Sequence, residues 1–345
     1  MVLHEFDQPL RLEEVEAPRI GAQEVLVKIK ACGVCASDIK MVRGIVPNVT
    51  LPHILGHQPA GDVLEIGPGV KGFSPGDRVC VYVFVTCGEC FYCRMGQENN
   101  CIKTRRIGHE LNGAYAEYLK VPSVNVFKIP DGIPYEEGSI IADAISTPFH
   151  AIHKQARVKP GEDVLIIGIG GLGIHAVQIA KAANARVIAA DLTSRKLEFA
   201  KKYGADEVID VRREVMKESV LKLTGGKRVD SVIDFVGNSE TVKAGLASVR
   251  RGGKIVLVGY DPLNDFTASP MQVVLEEIEI IGSHAATSQE MHEIIELVRA
   301  RKVKPVVAAR YPLKEANEAL RVLTSEEVLG RIVLMTEQSP GGRLL

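Results

Sequence analysis

The spacing of apolar residues changes character part-way along the chain. Up to Pro130, apolar and polar positions alternate over short runs, at residues 25–30, 60–66, 77–83 and 115–121. A period of two turns one face of each run to a core and the other to water, which predicts strands. Gly67-Pro68-Gly69 and Ser74-Pro75-Gly76-Asp77 supply turn residues between them. The pattern predicts a β-rich unit of short antiparallel strands.

Beyond residue 150 the apolar runs become continuous, at 163–167, 186–190, 207–209, 229–235, 254–258 and 279–281. Strands without a polar face are buried on both sides, as in a parallel sheet covered by helices. Helical spacing at 174–183 and 194–203 fills two of the intervals. Six such strands predict a doubly wound α/β unit. The chain then reads as a helix at 289–300, a short apolar stretch at 306–307, a helix at 313–323 and a last strand at 331–335. A loose tail is expected at 339–345.

Length and charge narrow the function. A chain of 345 residues favours two domains over one. Lys plus Arg is 42 against 43 for Asp plus Glu, a net charge of -1. That balance gives no strong field to attract nucleic acid or an anionic membrane. No apolar run approaches the length of about 20 residues that spans a bilayer. The first ten residues carry acidic side chains and no apolar core of a secretion signal, so a cytoplasmic location is expected.

The cysteines carry the clearest chemistry. All seven lie in the first 101 residues. Cys87, Cys90, Cys93 and Cys101 form C-x2-C-x2-C-x7-C. Four thiolates this close in sequence close a tetrahedral shell, which predicts a structural zinc. The usual cysteine spacings of iron–sulfur clusters differ. Cys35 and His57 are further apart, and on their own read equally well as a buried thiol and a satisfied imidazole. His109, His150 and His153 read as structural or surface residues.

Residues 168–173 read Gly-Ile-Gly-Gly-Leu-Gly between a predicted strand and a predicted helix. Gly168, Gly170, Gly171, Leu172 and Gly173 would cradle a pyrophosphate at the helix N-terminus. Asp191, at the end of the next strand, is placed to accept hydrogen bonds from the adenosine ribose. A carboxylate there repels a 2'-phosphate and favours NAD, a preference that Arg195 nearby softens.

Together these residues identify a family. The chain resembles the zinc-dependent medium-chain alcohol dehydrogenases along essentially its whole length. The resemblance rests on Cys35-Ala36-Ser37-Asp38, Gly56-His57, the four-cysteine lobe, Asp143-Ala144-Ile145-Ser146-Thr147, the glycine loop with Asp191, and Gly330-Arg331. It implies a GroES-like β domain at 1–149, completed by 285–345, around a Rossmann domain at 150–284. It also implies that Cys35, His57 and Asp143 hold a catalytic zinc, with Asp where many members have Cys. Ser37 would take the substrate proton, Asp38 would orient His57, and Thr147 would pack near the nicotinamide. Lys196, Val258 and Arg331 would join the cofactor site, with Arg331 at the pyrophosphate.

The implied activity is reversible hydride transfer between an alcohol, secondary or polyol, and NAD, with two zinc ions per chain. The implied assembly is a homotetramer, or at least a dimer. Gln58 stands where the family usually has Glu, and Lys40 where a relay histidine is usual. A lysine ammonium is a poor base near neutrality, so Lys40 reads as a solvated surface cation. Two rival readings are a zinc-free enone or acyl-CoA reductase and a non-catalytic zinc-knuckle binding protein. The Cys35, His57 and Asp143 set opposes the first, and the intact nucleotide loop opposes the second.

Overall fold

The computed structural model describes residues 1–262, 265–325 and 328–336. The expected loose tail at 339–345 lies outside them. The chain forms two compact units. The first holds Met1–Asp143, Thr287–Arg299 and the described residues from Pro305 onward, and the second holds Ala144–Ala286 with Ala300–Lys304. The breaks fall at Asp143/Ala144 and Ala286/Thr287, where the family resemblance implies 149/150 and 284/285.

In the first unit a seven-stranded sheet is built around one long strand, Glu24–Val34. It pairs antiparallel with Gln58–Ile66, with Tyr118–Pro122 and with Arg331–Met335 near the chain's end. Val25, Val27, Ile29 and Val34 of this strand are fully buried, so its apolar positions hold the core. Gly61 is required by the pairing, because a Cβ there would lie 2.0 Å from the Lys28 carbonyl oxygen. The expected strands recur with shifted ends. The run at 25–30 extends through Cys32-Gly33-Val34, while 77–83 shortens to Arg78–Val81. A strand at Val126–Lys128 was not expected.

In the second unit six parallel strands form one sheet. Numbered by their order within this unit they lie 3-2-1-4-5-6, the doubly wound order. Strand order reverses between Asp163–Ile167 and Val229–Asp234, and a ligand crevice forms at such a reversal. Helices Met216–Leu223, Ser239–Ser248 and Pro270–Leu275 add to the two that were expected. Two π-helical segments, Ile141–Ile145 and His150–Ala156, were not legible in the apolar pattern. No helix of the described residues is long and apolar enough to cross a membrane.

Candidate metal centres and nucleotide loop

The sheet register of the first unit gathers the first cluster. Gly33 pairs with Gln58, and Val34 pairs with Ile332. One residue further along each strand, Cys35, His57 and Arg331 emerge together at one end of the sheet. Asp143 joins them from the π-helical segment Ile141–Ile145. The Cys35 sulfur, a His57 ring nitrogen and an Asp143 carboxylate oxygen all lie within 4.8 Å of one another.

Cys35 also caps the short helix Ala36–Val42, which carries Ser37 and Asp38. Its backbone N–H donates to Asp38 Oδ2 at 2.7 Å. Asp38 is fully buried, with Oδ1 3.2 Å from His57 Nδ1. Tyr115 Oη donates to Asp38 Oδ2 at 3.0 Å. A carboxylate behind Nδ1 orients the ring and turns Nε2 towards the cluster. There Nε2 lies 3.9 Å from Asp143 Oδ2 and 3.4 Å from Ser37 Oγ. Burial, the largest single effect, would lower the His57 pKa, but the Asp38 charge, the hydrogen bonds to Asp38 and Cys35 and the Cys35 charge together outweigh it and raise the pKa well above the ordinary imidazole value.

The resemblance places Arg331 at the cofactor pyrophosphate; here its buried guanidinium donates to Asp143 Oδ2 at 2.9 Å. The strand register is the reason, since it sets Arg331 beside Cys35. Burial, the largest single effect, would raise the Cys35 thiol, but the Arg331 charge together with the hydrogen bond to His57 and the His57 charge outweighs it, and the pKa falls. Lys40, expected to be a solvated cation, is half-buried on the Ala36–Val42 helix. His109 packs edge-on against His57 with ring centroids 5.1 Å apart. Burial and the neighbouring His57 push its pKa down to about 3, so it stays neutral. Gln58 is buried with Nε2 3.3 Å from His57 Nε2, and it adds no charge. Tyr115 had no signal in the sequence beyond its place in an apolar run.

The charges test whether a divalent cation fits. Three potential anions, Cys35, Asp38 and Asp143, face one permanent cation, Arg331. With Cys35 as thiolate and His57 neutral, the forms that bind a metal, the deficit is two positive charges, which one zinc ion would balance. One sulfur, one imidazole nitrogen and one carboxylate oxygen also make a zinc donor set with a fourth position left open.

The four-cysteine lobe lies between Phe84–Val85 and Arg105–Arg106, which pair as a small antiparallel ladder. Sulfur separations are 3.5 Å for Cys90–Cys93, 3.6 Å for Cys87–Cys101 and 3.9 Å for Cys87–Cys93. Four sulfurs at the usual zinc–sulfur distance would sit about 3.8 Å apart. Backbone N–H donors hold the Cys90 thiol down at about 6, which favours the thiolate. Phe91, Met95 and Ile102 of this lobe face solvent. The lobe therefore has little core of its own, and a bound metal suits it as a staple. Among the described residues no third cluster of ligand type is found. His150 instead contacts Gln155, and His153 stacks on Phe149.

In the second unit, strand Asp163–Ile167 runs into the glycine loop and helix Gly173–Ala182. Gly168 has φ +87, a conformation that favours glycine. A Cβ on Gly173 would lie 1.9 Å from the Gly168 carbonyl oxygen, whereas one on Gly170 would meet nothing within 4 Å. The first two glycines to consider, 168 and 173, thus shape the turn, and Gly170 leaves a bare face for a ligand. Asp191 reaches back into this loop, accepting from Ile169 N at 2.7 Å and Thr193 N at 3.1 Å. Lys196 Nζ stands 4.0 Å from Asp191 Oδ1. The Leu172 carbonyl accepts from the helix, and the Gly171 carbonyl meets His175 Nδ1 at 2.8 Å. Val258 directly follows the strand Val249–Leu257 and is half-buried, its N–H donating to the Asp234 carbonyl at 2.9 Å. Thr147 is buried in the short helix Ser146–Phe149.

Comparison with known proteins supports the same reading. Residues 21–131 match the alcohol dehydrogenase GroES-like domain, and residues 171–300 match the zinc-binding dehydrogenase domain. An alcohol dehydrogenase of Geobacillus stearothermophilus is 38% identical, over 97% of this chain and 99% of its own length. The chain belongs to the zinc-dependent medium-chain alcohol dehydrogenase family. A solved NAD-dependent alcohol dehydrogenase of this family superposes with a TM-score of 0.93 at 33% identity, covering 97% of this chain and 99% of that one. An acryloyl-coenzyme A reductase of Metallosphaera sedula is also similar, 33% identical over 97% of this chain and 99% of its own length.

Proposed function

We propose that this protein oxidises an alcohol, of the secondary or polyol class, and reduces the matching carbonyl, with NAD as hydride partner. The observation that carries the reading is the Cys35, His57 and Asp143 cluster with its deficit of two positive charges. Zinc held there would supply Lewis acidity, lowering the alcohol's pKa and polarising the product carbonyl. Cys35, His57 and Asp143 hold the ion and leave one position open. Asp38 and Tyr115 keep the His57 ring in place from behind. Arg331 offsets the charge of Asp143 and Cys35. Ser37 Oγ, at the edge of the cluster, would take the alcohol proton as its own hydroxyl proton passes on towards the nicotinamide ribose, and the relay would run backwards in carbonyl reduction.

Cys87, Cys90, Cys93 and Cys101 hold a second, structural zinc. Gly168, Gly170, Gly171, Leu172 and Gly173 take the NAD pyrophosphate. Asp191 and Lys196 take the adenosine ribose, while Thr147 and Val258 line the nicotinamide end. The location is cytoplasmic and the assembly a homotetramer. Support for assembly comes from Glu279–Gly282, the last strand of its sheet, beside exposed Met271, Val274 and Leu275.

The test is a substrate panel followed by absorbance of the reduced nicotinamide. Secondary alcohols or polyols with NAD should give the highest kcat/KM. Turnover of acryloyl-coenzyme A with no alcohol oxidation would overturn the reading.

A further inference from the structure

A second concavity lies at the opposite end of the parallel sheet from the glycine loop, where the strands begin. It is an open concavity of about 720 Å³, lined by residues preceding strands Arg186–Asp191 and Glu207–Asp210 and by the segment 301–304. Five cationic residues line it: Lys181, Lys202, Arg301, Lys302 and Lys304. No carboxylate residue is among those lining it.

Cations at helix C-termini offset the helix dipole, and two helices, Gly173–Ala182 and Ser194–Lys202, do end here. That role is too small for the charge present. Two helix C-termini carry together about one negative elementary charge. Asp206 adds another, and it is committed to Lys181 at 2.9 Å. The remainder is an excess of about three positive charges. Among the described residues the side chains of Lys202, Arg301, Lys302 and Lys304 have no carboxylate partner. Like charges held in one concavity repel and cost stability, so a purely structural surface would intersperse carboxylates.

The wall is also held in place. Buried Gln178 donates to the Lys304 carbonyl at 3.0 Å and accepts from the Lys304 N–H at 2.8 Å, fixing the 301–304 segment. Lys181 Nζ is pinned by Asp206 and by the Ala185 carbonyl at 3.1 Å. The cavity volume lies in the range of small-molecule sites.

We propose that this concavity binds a polyphosphate anion of two or more linked phosphates. A single phosphate group carries about 1.5 to 2 negative charges and would neutralise only part of the excess. Two linked phosphates match it. The source is either free polyphosphate or the diphosphate of a nucleotide.

Equilibrium dialysis of the full chain with labelled pyrophosphate, at fixed ionic strength, tests this. Label held at the glycine loop does not count, because the wild-type chain is compared with a variant altered only in this concavity. One pyrophosphate should bind per chain, orthophosphate should compete at least tenfold less well, and Lys202→Gln/Arg301→Gln/Lys304→Gln should weaken binding at least tenfold. These three side chains are exposed, so the variant should keep the wild-type Tm and NAD affinity. ADP that competes for the label makes nucleotides a source, and ADP that does not restricts the source to free polyphosphate. No bound label in the wild type, or equal binding by the triple variant, would overturn the site.

Discussion

Single glycines separate what shapes the nucleotide loop from what serves a ligand. A methyl on Gly173 would sit 1.9 Å from the Gly168 carbonyl, so Gly173→Ala must push helix from strand. Overpacking of this kind should cost about 2 kcal/mol in denaturant unfolding. Gly170 has open space where its Cβ would be, so Gly170→Ala should leave stability within about 0.5 kcal/mol of wild type. The same methyl would occupy the space a pyrophosphate needs, and NAD binding by fluorescence titration should weaken about tenfold. If Gly170→Ala leaves the NAD affinity unchanged, the loop does not hold the pyrophosphate. The four-cysteine set was readable from its spacing, whereas Cys35, His57 and Asp143 followed only from the family resemblance, because a Cys and a His so far apart in sequence mean little alone. Arg331 and Tyr115 were not readable as partners of Asp143 and Asp38. Their roles depend on strand register and on a contact across 77 residues of chain.

At the scale of elements, strands declared themselves better than their ends. Largely apolar runs located all six parallel strands, although Val229–Asp234 carries Asp230, Ser231 and Asp234, and Glu279–Gly282 at the sheet edge is only partly buried. The extension of the central strand to Val34 was hidden by Cys32-Gly33, yet that extension brings Cys35 to its neighbours. The π-helical turn carrying Asp143 leaves the apolar spacing almost unchanged, so periodicity could not reveal it. The ladder below the four-cysteine lobe makes a pH-dependent prediction. Arg106 grips Glu110 through its side chain, with Nε 3.1 Å from Oε2, and through its backbone N–H at 2.7 Å. Burial would raise the Glu110 pKa, but these bonds outweigh it and hold it below the ordinary value of 4.5. A depressed folded-state pKa gives stability that is complete above the ordinary value and lost as pH falls through the depressed one. Glu110→Gln should therefore cost about 1 kcal/mol at neutral pH, discounted for partial exposure, and almost nothing in strong acid. Urea unfolding at both pH values checks it, and an equal loss at both would remove the charge from the explanation.

For the whole molecule, the two units divide the work. One gathers metal ligands at the end of an antiparallel sheet, and the other offers a glycine loop at a strand-order reversal. The two-part plan was legible because the apolar period changes between them. The proposed assembly draws on the sheet edge at Glu279–Gly282 and the exposed Val274 and Leu275 beside it. A Val274→Glu/Leu275→Glu variant should shift light-scattering mass down from the oligomer without losing fold, because both side chains are exposed. A wild-type monomer at micromolar concentration would contradict the proposed assembly.

The central claim is that Cys35, His57 and Asp143 hold the zinc at which the alcohol reacts. Metal analysis of the purified chain beside two variants tests it most directly. Two zinc ions per chain are expected in the wild type. His57→Ala should keep one, retain NAD binding and the fold, and lose alcohol-dependent NAD reduction by at least a thousandfold. Cys93→Ser should lose the other zinc and unfold at lower temperature. A wild type with a single zinc and full activity, or a His57→Ala protein that keeps two zinc ions, would contradict the account.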